Sequence, residues 1–177
     1  MVLKGILTTR RLYGFLFTAI IGTLLHFLYD WTGEIIFVAP FSAVNESVWE
    51  HMKLLFVPMF IFALIDYRKW GKNHDNFWCI KLLSITVGLL LIPTLYYTYT
   101  GALGITADWF TITIFFLATA IAYYLENRLL KSKANFCFSS LLAFSVLIIL
   151  AVLFVFFTFT PLPIPLFSDP ATGNYGI

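Results

Sequence analysis

The stretch Asn45-Glu46-Ser47-Val48-Trp49-Glu50-His51-Met52-Lys53 packs two carboxylates, an imidazole, an amide and an ammonium into nine residues. Imidazoles and carboxylates are the side chains that ligate divalent metals and move protons near neutral pH. Upstream, His26 and Asp30 stand four apart, so on a helix they share a face. The expected metal ligands are His26, Asp30, Glu50 and His51, with a divalent ion as the implied cofactor. The expected catalytic groups are Glu50, His51, Glu46 and Lys53. At about 100° per residue, one continuous helix would set Glu46, Glu50 and Lys53 on a stripe about 60° wide, with His51 turned away toward Ser47. Such a stripe is net negative by one and, out of water, calls for a proton, a cation or a second base such as His26. Ser47 lies one turn before His51, which permits a serine–histidine nucleophile pair, although helical serines more often bond back to the preceding turn. The plainer alternative is a helix start in water. Glu46 and Glu50 would then be first-turn acids favoured by the helix dipole, and Lys53 would snorkel outward. No HExxH, HxxxH, CxxC or GxSxG motif occurs.

The rest of the chain says which elements must position these groups. Of its 177 residues, 60% are hydrophobic and only 11% charged, and mean hydropathy is +0.90. A water-soluble domain carries about 25% charged residues, so the natural solvent here is a bilayer. Aromatics reach 19%, with 20 phenylalanines, as suits lipid-facing surface and interfacial belts. A net charge of +2 with no basic arm speaks against nucleic acid as a partner. The partners expected are the lipid bilayer and, within it, a membrane protein or a second copy of the chain.

Apolar runs predict an all-α integral membrane protein with five transmembrane helices, at about 12–31, 44–66, 80–99, 109–126 and 136–159. The basic residues Lys4, Arg10 and Arg11 precede the first span, and the pattern gives no cleavage site, so that span is expected to be retained. Ser42 or Asn45 is expected to cap the second helix and Asp108 the fourth. Alternate prolines at 161, 163 and 165 predict an extended outer tail over 160–177. Cys79 and Cys137 fall at helix ends expected to face a reducing cytoplasm. Asp66 and Glu126 are expected to form interfacial pairs with Arg68 and Arg128.

The second span poses a depth problem. Its purely apolar part, Leu54–Ile65, reaches only about 18 Å as helix, against a hydrocarbon core of about 30 Å. It crosses only by drawing Glu50, His51 and Lys53 below the interface, and Pro58 is expected to kink it. Ten of the eleven Lys and Arg residues fall on one side of this topology, the exception being Lys53. The positive-inside rule then puts the N-terminus in the cytoplasm and the C-terminus outside, in the cell membrane. The polar cluster and the tail share the outer side, where Phe167 and Asp169 are placed to fold over the cluster.

Two segments carry a resemblance. Leu25–Trp31 with Phe41–His51, including Asn45-Glu46-Ser47-Val48-Trp49-Glu50-His51, is one, and Ile164–Gly176 is the other. Together they resemble a family of small prokaryotic multi-pass membrane proteins of undefined function. The resemblance implies a membrane protein and transfers no activity. A looser similarity is to membrane hydrolases related to alkaline ceramidases, whose late His-x-x-x-His this chain lacks. The residues themselves are compatible with transport, ion coupling or an accessory role in assembly. The alternative is an outward-facing, metal-dependent intramembrane hydrolase acting on a lipid or envelope precursor.

Overall fold

The computed structural model describes residues 7–105, 107–132 and 137–177. Lys4, Lys133, Phe136 and the side chain of Asp108, with its expected capping role, lie outside the described residues. Five helices follow in order: α1 Thr9–Trp31, α2 Val48–Lys69, α3 Phe77–Leu103, α4 Asp108–Lys131 and α5 Ser140–Phe159. All five are long and apolar enough to cross a membrane, and the described residues form an all-α fold.

α2 is the axis of the bundle. It touches each of the other four helices, and the neighbours around it run α1, α4, α3, α5. Some 56% of its apolar window is buried, against 22% for α5, so α2 is protein-facing and α5 mostly outward-facing. Leu55 and Ala63 of α2, Ile85 of α3, Ala118 and Ala122 of α4 and Leu147 of α5 are wholly buried around it. α1 sits close because two of its glycines leave room. A Cβ on Gly14 would stand 2.5 Å from the Tyr123 ring, and one on Gly22 would stand 2.8 Å from the Leu54 carbonyl oxygen.

The start of α2 is set by local chemistry. Ser47 Oγ accepts from the Glu50 amide at 3.3 Å, and Asn45 Oδ1 accepts from the Ser47 amide at 3.0 Å, so the helix opens at Val48. Neither Ser42 nor Asn45 is its N-cap. Ser42 instead accepts from the Tyr29 amide and donates to the Leu25 carbonyl, which pins the 32–47 connection to the end of α1. Pro58 lies inside α2 and the helix continues through it to Lys69.

The antiparallel order gathers Arg10 and Arg11, the 70–76 connection, the end of α4 and the start of α5 at one end, here the basic end. The tail end holds the 32–47 connection and the C-terminal segment. That segment is not a free extended arm. It turns through a short 3-10 helix at Pro165–Phe167 and closes with an isolated bridge between Ser168 and Tyr175. Phe167 is buried against Trp49 and Phe157, at ring-centroid distances of 4.8 and 5.2 Å. At the basic end Cys79 and Cys137 form a disulfide, which corrects the expectation of two reduced thiols: the start of α3 and the approach to α5 lie side by side.

Candidate metal centre

The tail end separates the sequence-predicted residues into two groups. His26 from α1, Glu46 from the connection and His51 from α2 place one ligand atom each within 4.8 Å of one another. His26 Nε2 lies 3.7 Å from Glu46 Oε1, and His51 Nε2 lies 3.5 Å from Glu46 Oε2. The two rings face each other at a centroid distance of 5.5 Å. His51 is oriented by the turn before it: Nδ1 sits 2.9 Å from the Ser47 carbonyl oxygen. A carbonyl only accepts, so Nδ1 carries the proton and, in the neutral ring, Nε2 presents its lone pair toward Glu46. A ligating histidine whose second nitrogen donates to a backbone carbonyl is the usual arrangement at metal sites. Ser47 Oγ is occupied in capping α2, and the serine–histidine contact uses the Ser47 carbonyl. The expected nucleophile pair is therefore not assembled.

The distances discriminate between two kinds of contact. A charge-assisted N–H···O bond spans about 2.7–2.9 Å. Two ligands about 2.1 Å from a common tetrahedral ion stand about 3.4 Å apart. The two histidine–Glu46 separations, one to each carboxylate oxygen, exceed the first and lie within about 0.3 Å of the second.

Glu50 and Lys53 belong to a different constellation. Lys53 Nζ meets Glu50 Oε2 at 2.5 Å and donates to the Ala39 carbonyl and to Thr158 Oγ1, both at 2.8 Å. The Val44 amide donates to Glu50 Oε2 at 3.1 Å, and Thr158 Oγ1 lies 3.3 Å from Glu50 Oε1. Glu50 is 2% exposed and Lys53 is fully buried. The pair ties α2 to the 32–47 connection and to the last turn of α5. Asp30 is exposed near the end of α1 and is not part of the ligand triangle. Of the expected ligands, Asp30 and Glu50 lie outside the triangle that His26 and His51 form, and Glu46 stands in it. The reason is the helix start: Glu46 precedes α2, so it leaves the predicted stripe and swings toward the histidines.

The C-terminal segment holds the connection that carries Glu46. Asn45 Nδ2 donates to the Gly176 carbonyl at 3.0 Å, and the Glu46 amide donates to Asp169 Oδ2 at 3.5 Å. Asp169 Oδ1 accepts from the amides of Ala171 and Thr172, at 2.7 and 3.2 Å, which fixes its own loop.

Beside the histidines lies a small slot of about 120 Å³ between α1, α2 and α4. His26, His51, Leu54 and Phe115 line it with Phe27, Ile112 and Phe116, and Glu46 does not.

A second polar cluster, at the basic end, joins four helices. Arg11 Nη1 contacts Asp66 Oδ2 at 2.7 Å and also Glu126 Oε1. Lys81 Nζ contacts Asp66 Oδ2 at 3.1 Å and Glu126 Oε1 at 2.6 Å. All four side chains are at most 2% exposed. The expected pairs Asp66–Arg68 and Glu126–Arg128 are replaced by this quartet, which the partly exposed Arg10 joins through Asp66 Oδ1 at 3.5 Å. Residues two apart on a helix point to opposite sides; that spacing was the signal the local pairing overlooked. Tyr123 continues the polar seam along α1 and α4, its hydroxyl 2.9 Å from Thr18 Oγ1.

Fold and site together define a class: an all-α bundle with five helices, among the described residues, long and apolar enough to cross a membrane, and a histidine–carboxylate triangle at one end. Residues 8–177 match the Family of unknown function (DUF6512), and the chain belongs to that family. No curated protein and no solved structure matches it.

Proposed function

We propose that this protein is a cell-membrane metal-binding protein that holds one divalent transition-metal ion between His26, His51 and Glu46. The supporting observation is the pair of histidine–carboxylate separations, 3.5 and 3.7 Å, which suit a shared ion and exceed hydrogen-bond length. Two neutral imidazoles and one carboxylate leave a net charge of +1 with the ion in place, and three protein ligands leave a fourth position open. Nitrogen-rich sites of this kind suit zinc and its neighbours in the first transition row.

Orientation follows from the charges that stay unburied at the basic end. With Arg11 and Lys81 neutralised inside the quartet, Arg68, Lys69, Lys72 and Lys131 still lie there. They support a cytoplasmic basic end and an outward-facing metal site, in a membrane of prokaryotic type as the sequence resemblance implies. This reading is preferred to a transport or docking role centred on Glu50 and Lys53, because that pair is enclosed by Val44, Ala39 and Thr158. Bilayer lipid is the partner that this membrane reading implies.

Elemental analysis of the purified protein tests the proposal. About one metal ion per chain is expected in the wild type and in Glu50→Gln, with loss in His26→Ala and His51→Ala. A metal-free wild type after purification with added zinc or cobalt and no chelator would overturn it.

A further inference from the structure

We infer that the slot beside the metal takes the hydrocarbon chain of an amphiphile whose carbonyl-bearing head occupies the open position on the ion. The inference rests on the metal reading above and adds the ligand to it.

Three observations carry it. His26 and His51 both line the slot and Glu46 does not, so an ion held by the three would have the slot on its histidine side. The remaining walls are mostly apolar: Leu54 and Phe115 are buried at the back, and the lining residues Thr23 and Thr111 spend their hydroxyls on the Ala19 and Ala107 carbonyls. At the mouth, Phe27, Ile112 and Phe116 are 42%, 56% and 38% exposed. They stand on α1 and α4, two helices that are long and apolar enough to cross a membrane. A slot on such a surface opens toward acyl chains, and its contents come from the bilayer. Gly22 is what lets the slot exist between tightly packed helices. A Cβ there would stand 2.7 Å from the Phe115 ring and 2.8 Å from the Leu54 carbonyl oxygen, so no larger residue fits at the slot's inner edge.

The occupant follows from the two surfaces it must satisfy. An apolar wall rewards methylene groups, and a divalent ion with nitrogen and oxygen ligands rewards an oxygen donor. A fatty acid and the ester carbonyl of a phospholipid both meet this description. Their shared chemistry is an acyl chain ending in an oxygen ligand. A short polar ligand reaches the ion without using the slot, whereas an acyl ligand uses both.

The test uses the full-length protein loaded with cobalt(II) in nanodiscs, whose visible spectrum reports the ligands on the ion. Acetohydroxamate and dodecanohydroxamate are titrated first. Each buried methylene is worth roughly fourfold in affinity, so burial of some four of them favours the long probe by on the order of a hundredfold. Ile112→Trp and, independently, Thr23→Trp fill the mouth without touching a ligand. In both, the long probe is expected to lose about tenfold or more of its advantage while acetohydroxamate binding and cobalt stoichiometry stay unchanged. Partitioning of the long probe into lipid is common to wild type and variants and cancels in that comparison. Dodecanoate and a didodecanoyl phospholipid are then supplied in separate arms. A spectral change with dodecanoate alone identifies a free acid; a change with the phospholipid identifies a bilayer ester; either supports the inference. Cobalt binding with no chain-length preference, or one that both tryptophan variants leave intact, would overturn it while leaving the metal site standing. Failure of cobalt to bind at all would instead overturn the metal reading beneath it.

Discussion

Glu46 Oε2 stands 3.5 Å from His51 Nε2 even though Glu46 lies outside the helix that carries His51. The relationship exists because Ser47 caps α2 and ends the helix one residue after Glu46, freeing the carboxylate to face the histidines of two helices. Under the proposed metal reading the ligand is therefore Glu46, which joins the histidine triangle, and not Glu50, which does not. Glu46→Gln is expected to weaken zinc or cobalt binding by about tenfold or more, since a neutral amide replaces the only charged ligand. Glu50→Gln should leave it unchanged. Competition against a chromophoric chelator measures both, and equal effects would sink the assignment.

Lys53 and Glu50 make a different prediction, one about stability. Removing one member of a fully buried ion pair leaves the other charge without compensation, at a cost of about 3–5 kcal/mol. Lys53→Met is expected to fall in that range, measured by denaturant unfolding in a fixed bicelle composition. The double variant Glu50→Gln with Lys53→Met should recover much of the loss, because neither remaining side chain is charged. A double variant as unstable as the single one would show that Lys53 acts by packing alone.

At the basic end the pairing itself is open to test. Asp66→Asn leaves Arg11 and Lys81 facing Glu126 alone, a buried excess of positive charge, and is expected to cost about 3–5 kcal/mol. Arg68→Ala and Arg128→Ala should each stay within about 0.5 kcal/mol, as surface substitutions do. Comparable losses in Asp66→Asn and Arg68→Ala would restore the local pairing that the sequence first suggests.

These contrasts mark how far the sequence could be read. The five helices are written in continuous apolar runs, a signal that survives without knowledge of tertiary contacts. The short apolar core of α2 likewise requires charge to enter the bundle, and Glu50 and Lys53 are indeed buried. What the sequence does not display is which charge meets which. Arg11 and Glu126 are 115 positions apart, and only the packing of α1 against α4 brings them together. The start of α2 was more accessible. Ser47-Val48-Trp49-Glu50 has the serine–x–x–glutamate spacing of a helix N-terminus, which places Glu46 before the first turn and breaks the stripe that a longer helix would have formed.

The C-terminal segment is expected to tune the metal site without supplying a ligand. Asp169 and Gly176 hold the backbone and the side chain of the two residues that lead into the site. Asp169→Ala should lower metal affinity by about tenfold, in the range seen when an outer partner of a ligand is lost, with the stoichiometry still one per chain at saturation. Phe167→Ala removes a buried ring from between Trp49 and Phe157 and should cost about 3–5 kcal/mol of stability. Unchanged affinity in Asp169→Ala would separate the tail from the site.

Cys79 and Cys137 bring two physical rules into opposition. The basic residues at their end favour a cytoplasmic side, where thiols are normally kept reduced, yet the two sulfurs are joined. The bond closes a loop with a sequence separation of 58, and cross-linking a loop of that length removes denatured-state entropy worth about 4 kcal/mol. That is a large share of a typical domain's stability, about 5–15 kcal/mol, so the fold has a strong reason to keep the bond wherever its formation is permitted. Cells quenched in acid and alkylated before lysis should yield protein in which both cysteines escape labelling until a reductant is added. Cys79→Ser and Cys137→Ser should then each lower stability by about 2–4 kcal/mol, and by the same amount when combined. Full labelling in quenched cells, with no loss of stability in either variant, would show that the two thiols stay reduced and would leave the orientation set by the basic residues unopposed.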